Sequence, residues 1–249
     1  MRKGKVWLVG AGPGDPELLT VKAVRALSQA DVIAYDELIS EEILALAPPH
    51  AERIPVGRRA NGCRYHEDKI HPAVIARALE GKTVVRLKGG DPMIFGRGGE
   101  EAEEVAAAGI DFEIVPGISA ALGAAAATGI PLTHREAASS VTFATAHAAK
   151  GDGDPKLAVT VPLTGTVVLY MGLNRLAETA SSLIHAGREP STPVAVIAHA
   201  TRPTQRIVIG TLETIADDVG RANLPAPALI VVGEVVDRAV LKNVLAAAS

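Results

Sequence analysis

The sequence predicts an α/β protein made of two α/β domains, and three observations lead there. Apolar runs rich in Val and Ile alternate along the whole chain with segments whose apolar residues recur at helical spacing. With 249 residues and 48% hydrophobic content, there is enough apolar side chain for two cores, each in a domain of about 100 to 130 residues. The texture then changes near residues 132–137, where Pro131 breaks a helical pattern and the polar run Thr133 to Glu136 follows. That break sets domains of residues 1–134 and 135–249.

Each element has a local reason. Val6–Val9 is the first strand, and Thr20–Gln29 places Val21, Val24 and Leu27 on one helical face before Asp31–Tyr35 returns as a strand. A helix around Glu41–Ala47, a short strand at Arg53–Val56, a helix over Glu67–Glu80 and a strand at Thr83–Leu87 continue the alternation. Gly98–Ala108 is the next helix and Phe112–Val115 the next strand, which ends in a turn opening an Ala-rich helix that stops near Thr128 to Pro131. In the second half, Val141–Thr145, Thr166–Met171, Pro193–Ala198, Gln205–Ile209 and Ala228–Val232 read as strands, with helices at Leu173–Ala186 and Leu212–Arg221. More of those strands are adjacent in sequence. The Gly, Asp and Pro content of Ala148–Pro155 marks the most mobile internal loop.

Composition narrows the function. A net charge of -3 argues against broad nucleic-acid binding, and the absence of any 18-residue apolar window argues against a membrane span. Met1 leads almost directly into a strand with no apolar leader, and the single Cys63 excludes an internal disulfide framework, so a reducing cytoplasm is expected. His66 and His71 lack a third ligand nearby, so no metal is expected. Between residues 53 and 97, ten basic residues stand against four acidic ones. That excess reads either as the seat of a polyanionic ligand or as a solvated face.

Two glycine loops carry chemistry. Val85–Glu100 runs from an apolar strand into Gly89-Gly90-Asp91-Pro92 and a glycine-flanked aromatic; the glycines let backbone groups approach a ligand, and Pro92 stops the strand. Val9–Asp15 follows the first strand, where a dinucleotide fingerprint would sit, but Asp15 takes the place of its last glycine and Pro13 removes an N–H. Asp36, at the end of the second strand, could still stand in for a ribose-binding carboxylate, which keeps a nucleotide-dependent oxidoreductase as an alternative. It also reads as a turn or cap residue.

Seven ordered motifs resemble the tetrapyrrole methylases, the class III S-adenosylmethionine-dependent methyltransferases. They are Val9–Pro16, Tyr35–Ser40, Val85–Glu101, Val115–Ala120, Gly129–Arg135, Leu169–Gly172 and Thr204–Arg206, and together they span nearly the whole chain. Val85–Glu101 and the Pro131–Arg135 run are most similar to members acting on uroporphyrinogen III. The resemblance implies a cofactor cleft between two α/β domains, a homodimer, and methylation of uroporphyrinogen III at C2 and C7 to precorrin-2 for sirohaem or cobalamin synthesis. It places Pro13, Gly89, Gly90, Asp91, Ile94, Ser119, Ala120, Met171, Ala200 and Ala228 at S-adenosylmethionine, although Met171 and Ala228 also read as core packing. It places Asp36 as proton acceptor. Arg58 stands where the family often has a lysine as proton donor; a guanidinium is a poor acid, so Arg58 reads as an electrostatic clamp. Arg59, Arg64, Lys88, Arg97, His134 and Arg135 are the candidates for the substrate carboxylates. A methylase acting on a later corrin precursor or a non-tetrapyrrole acceptor is the alternative on the same scaffold.

Overall fold

The computed structural model describes residues 3–57, 70–146 and 161–240. The chain divides into two compact units, Met1–Ala120 and Ala121–Ser249. The division falls at the start of the Ala-rich helix, ahead of the break expected at 134/135. That helix and the turn after it pack with the second unit: Val240 N–H donates to the Gly129 carbonyl at 3.2 Å, and Arg238 lies 3.6 Å from Glu136.

Unit 1 is a five-stranded sheet in which every pairing is parallel, ordered β3-β2-β4-β1-β5. The strands are β1 (Lys5–Gly10), β2 (Val32–Tyr35), β3 (Glu52–Pro55), β4 (Thr83–Lys88) and β5 (Asp111–Val115). Helices α1 (Val21–Ser28), α2 (Glu41–Leu44), α3 (Pro72–Leu79) and α4 (Gly98–Ala107) make the crossovers among the described residues. Alternation along each strand splits the core into two layers. Val9, Ile33, Val85 and Leu87 pack on one face with Leu27 and Ile43 of α1 and α2; Val6, Leu8, Val32, Ala34 and Val84 pack on the other with Val74 of α3 and Val105 of α4. Burial on both faces is why these strands read as continuous apolar runs.

Local chemistry starts the helices. Thr20 Oγ1 accepts from Ala23 N–H at 3.1 Å and Ser40 Oγ from Ile43 N–H at 3.4 Å, while His71 Nδ1 accepts from Ala73 N–H at 3.2 Å with Pro72 as the first helical residue. Asp15, the residue that spoils the dinucleotide fingerprint, caps a 3-10 turn at Pro16–Leu18 by accepting from Glu17 N–H at 2.8 Å.

Unit 2 holds a mixed sheet ordered β6-β7-β10-β8-β9, from β6 (Val141–Thr145), β7 (Thr166–Tyr170), β8 (Pro193–Ala198), β9 (Arg206–Thr211) and β10 (Ala228–Val232). β6 and β7 are parallel and the remaining pairs antiparallel. Helices α5 (Ala120–Thr128), α6 (Leu176–His185) and α7 (Ile215–Ala222) complete it. Leu169, Val196 and Ile230 meet Leu183 of α6 and Ile215 of α7 in one core. Leu173–Arg175 is a 3-10 turn before α6, which shortens the helix expected from Leu173. Among the described residues no helix is long and apolar enough to cross a membrane.

Candidate functional site

In a parallel sheet the strand ends with their outgoing loops form the usual ligand face, and in unit 1 those of β1, β4 and β5 are tied together by backbone. Past the strand register, Ala11 N–H donates to the Lys88 carbonyl at 2.8 Å, Gly90 N–H to Gly12 at 2.7 Å and Gly12 N–H to Gly90 at 3.1 Å. Gly12 and Gly90 take φ of 71° and 68°, which glycine adopts without strain. The loop after β5 presses in as closely: a Cβ on Gly117 would lie 2.3 Å from the Gly90 carbonyl oxygen, and one on Gly10 2.5 Å from the Gly117 nitrogen.

The Asp91 carboxylate pins this junction. Oδ2 accepts from Gly117 N–H at 3.0 Å and Oδ1 from Met93 N–H at 2.8 Å. Beyond it, Met93, Ile94 and Phe95 are exposed, and Phe95 and Arg97 adopt left-handed backbone at φ 52° and 59°. Gly98 N–H then closes the loop on the Pro92 carbonyl at 2.8 Å and opens α4. The loop is thus an apolar tip held by backbone bonds and one carboxylate.

Beside it, at the same end of the sheet, lies a buried ionic cluster. Arg86 Nη2 reaches Asp36 Oδ1 at 2.7 Å and Glu101 Oε1 at 3.0 Å, Arg86 Nε reaches the same Glu101 oxygen at 3.1 Å, and Lys88 Nζ reaches it at 2.9 Å. Arg86, Lys88 and Glu101 are buried, whereas the Asp36 side chain keeps 29% of its exposure and so can meet a ligand. Burial pushes the Lys88 ammonium below its ordinary range, with Arg86 adding to the effect and Glu101 opposing it. Burial acts to lower the Arg86 value, but Asp36 and Glu101 outweigh it and raise the net. His71, under desolvation and the field of Arg86, is lowered.

These contacts revise the reading of basic charge. Lys88 is 3% exposed and bonded to Glu101, so it faces the interior and is withdrawn from the substrate-carboxylate candidates. Arg53 pairs with Glu41 at 3.6 Å, Arg77 with Glu52 at 2.8 Å and Arg97 with Glu100 at 3.5 Å. Most of those acids lie just outside the 53–97 window, so the local excess is largely neutralised among the described residues. Arg58, Arg59 and Arg64 lie outside the described residues, as do Cys63, His66 and the Ala148–Pro155 loop. Arg86 and Glu101 were missed as site residues. The signal was present, because a strand buried on both faces has no packing reason to carry Arg86 and Lys88 on one side.

The other candidates fall into two groups. Pro13, Gly89, Gly90, Asp91, Ile94 and buried Ser119 belong to the unit 1 loops, and Ala120 opens α5. Within unit 2, Met171 follows β7, Ala200 follows β8 and Ala228 begins β10; Ala228 pairs with Ala198, and continuing the β10–β7 register sets it opposite Met171. The three therefore share one sheet end. Met171, His199 and Thr201 there have φ of 57°, 49° and 68°, left-handed backbone that concentrates at ligand clamps. His199 anchors that turn, with Nδ1 3.0 Å from Thr204 Oγ1 and Nε2 3.0 Å from the Ala226 carbonyl. His134 Nδ1 accepts from Glu136 N–H at 3.2 Å, and Arg135 is exposed on the same turn. Among the described residues no group of three His, Cys, Asp or Glu could hold a metal ion.

The unit 1 loops suit S-adenosylmethionine. Glycine backbone lies bare at Gly89, where a Cβ would meet only Leu38 at 3.6 Å, and exposed Ile94 supplies an apolar wall.

Comparisons with known proteins agree. The family model "Tetrapyrrole (Corrin/Porphyrin) Methylases" matches residues 5–216. A siroheme synthase of Acinetobacter baylyi is 49% identical over 234 residues, 94% of this chain and 51% of that protein; the chain spans about half the length of several such curated relatives. An S-adenosyl-L-methionine-dependent uroporphyrinogen III methyltransferase of Methanosarcina barkeri is 48% identical over 235 residues, 94% of this chain and 92% of that protein. The crystal structure of uroporphyrin-III C-methyl transferase from Thermus thermophilus, complexed with S-adenyl homocysteine, superposes with a TM-score of 0.80 at 42% identity, covering 94% of this chain and 93% of that one.

Proposed function

We propose that this chain, which belongs to the tetrapyrrole (corrin/porphyrin) methylase family, methylates uroporphyrinogen III at C2 and C7 with S-adenosylmethionine as donor, giving precorrin-2. The observation that carries this reading is the likeness to the Methanosarcina methyltransferase, which covers 94% of this chain and 92% of that protein.

S-adenosylmethionine, when bound, supplies an activated methyl group; the chain's own work is alignment and proton handling. Backbone of Gly89, Gly90 and Asp91 with the Ile94 side chain hold the cofactor in unit 1, joined by Pro13, Ser119 and Ala120. In unit 2, Met171, Ala200 and Ala228 are its further candidates. Asp36, half-buried and held by Arg86, accepts the proton that the tetrapyrrole gives up elsewhere in the macrocycle once the methylated ring carbon has become quaternary. Arg58, Arg59, Arg64, Arg97, His134 and Arg135 are left to pair with the substrate carboxylates, with Arg58 clamping charge. A homodimer working in the cytoplasm, feeding sirohaem or cobalamin synthesis, completes the proposal.

Anaerobic incubation of uroporphyrinogen III with isotopically labelled S-adenosylmethionine, followed by mass analysis of the tetrapyrrole, tests the reaction. Two added methyl groups are expected. Tight S-adenosylhomocysteine binding without methyl transfer would send the search to a later corrin precursor or another acceptor.

A further inference from the structure

The buried cluster around Arg86 is more than folding requires. Along β4, residues 84, 86 and 88 share the face packed against α3 and α4, where Val84 meets Val6, Val32 and Val74. Apolar side chains at 86 and 88 would extend that layer. Instead the strand carries two buried cations, compensated by Glu101 from the first turn of α4 and by Asp36 from the end of β2. Burying such groups costs several kcal/mol per ion, and an apolar replacement of a whole buried cluster is often neutral or stabilising. Stability alone does not account for it.

The geometry points to a role for Arg86: we infer that it is a positioning residue, which fixes the Asp36 carboxylate in the orientation needed to take a proton. This rests on Asp36 being the base of the proposed reaction. Three contacts lock the guanidinium plane. Nε and Nη2 both bond Glu101 Oε1, at 3.1 and 3.0 Å, and Nη1 donates to the Leu87 carbonyl at 3.1 Å. With that plane set, Nη2 also lies 2.7 Å from Asp36 Oδ1, so the fixed guanidinium holds one oxygen of the Asp36 carboxylate as an ion pair. Among the described residues Glu101 Oε1 takes every bond to that carboxylate while the buried Oε2 has no partner, so Glu101 is spent on holding Arg86 and Lys88. Asp36 Oδ2 is left as the oxygen without a role in this lattice of bonds. The cluster is also neutral, two cations against two carboxylates, so the pair Asp36–Arg86 presents little net charge to a polyanionic substrate.

Glu101 links this device to the cofactor loop. It sits one turn into α4, whose first residue Gly98 donates to the Pro92 carbonyl of the Gly-Gly-Asp-Pro loop. A displaced α4 would therefore shift both.

Lysine at 86 keeps the charge and loses the fork, so it can bond one carboxylate without orienting a second. The test is a double-variant cycle of Arg86→Lys and Asp36→Asn, with Glu101→Gln as a second way to release the guanidinium. Four quantities are read: S-adenosylhomocysteine affinity by calorimetry, kcat and KM for methyl transfer to uroporphyrinogen III, the pH–rate profile, and the Asp36 carboxyl titration by carbon NMR. Arg86→Lys is expected to move the Asp36 titration, to lower kcat about tenfold to a hundredfold, to shift the pH–rate profile with it, and to leave S-adenosylhomocysteine affinity within about twofold. In the Asp36→Asn background the same substitution is expected to cost almost nothing further, since the group it positions is gone. Equal losses in both backgrounds, or an unmoved Asp36 titration, would overturn the inference and make Arg86 a structural residue. Failure of the parent chain to methylate uroporphyrinogen III would count against the proposed reaction instead, and the NMR titration still reports whether Arg86 controls Asp36.

Discussion

Asp91→Asn should uncouple the three loops of unit 1 while changing almost no volume. The carboxylate accepts two backbone N–H bonds, from Gly117 at 3.0 Å and Met93 at 2.8 Å. An amide has one oxygen to offer, so whichever way it turns, its NH2 faces one of those N–H donors. Hydrogen bonds to a charged group contribute about 1.5–3 kcal/mol, and Asp91 is partly solvated, which favours the lower end. Losing one bond and weakening the other then costs roughly 2 kcal/mol. If that energy orders the Gly89–Asp91 backbone for the cofactor, S-adenosylhomocysteine should bind about 30-fold more weakly, since 1.4 kcal/mol is a factor of ten. Calorimetric titration measures this, and thermal unfolding of the free protein measures the part spent on stability. An affinity within twofold of the parent together with an unchanged melting temperature would refute the claim that this carboxylate organises the site.

Gly117→Ala attacks the same junction sterically. Its Cβ would sit 2.3 Å from the Gly90 oxygen and 2.8 Å from Gly10, all backbone with no side chain to yield; near-complete loss of S-adenosylhomocysteine binding is expected, and retained affinity would show that the loops can part. At Gly99 in α4, by contrast, a Cβ meets nothing within 4 Å, so Gly99→Ala should raise the melting point through about 0.5–1 kcal/mol of helix propensity. Glu101→Ala strands the buried cations of Arg86 and Lys88 and should cost about 3–5 kcal/mol in denaturant unfolding, with a loss below 1 kcal/mol contradicting the ion-pair geometry. His71 caps α3 through an unprotonated Nδ1, and burial holds its value below the ordinary 6.5. The unfolded chain therefore takes up that proton first: the cap is intact above pH 6.5, and stability falls as pH drops from there through the folded-state value. His71→Asn keeps an acceptor and should flatten that acid-side loss, about 1 kcal/mol of capping, in melts between neutral pH and pH 5.

Elements with a strong local signal are legible in the sequence. Pro193–Ala198 and Ala228–Val232 fall where Val and Ile density put them, because β-branched residues buried in a sheet leave a dense apolar run. The helices expected over Thr20–Gln29 and around Glu41–Ala47 begin at Val21 and Glu41, each capped by the side chain just before it, Thr20 and Ser40. The unit boundary was displaced because Pro131 and the polar run after it record a chain break, whereas the division at Ala120 depends on which core α5 joins, and a uniformly small, apolar helix carries no face to announce that. Counting charge along a window failed for a related reason. Asp36, Glu41, Glu52, Glu100 and Glu101 lie outside residues 53–97 in sequence and against their cations in space.

By itself the sequence determined the alternation of strands and helices, the two glycine loops and the family they mark, since these depend on residue type and spacing over a few neighbours. Only the tertiary structure decided that Gly10, Gly90 and Gly117 meet in one place, that Asp91 works through its carboxylate, and that Lys88 is turned inward to Glu101. Those facts follow from the strand order β4-β1-β5, which brings residues far apart in the chain within hydrogen-bond reach. No spacing along one strand encodes which strand lies beside it.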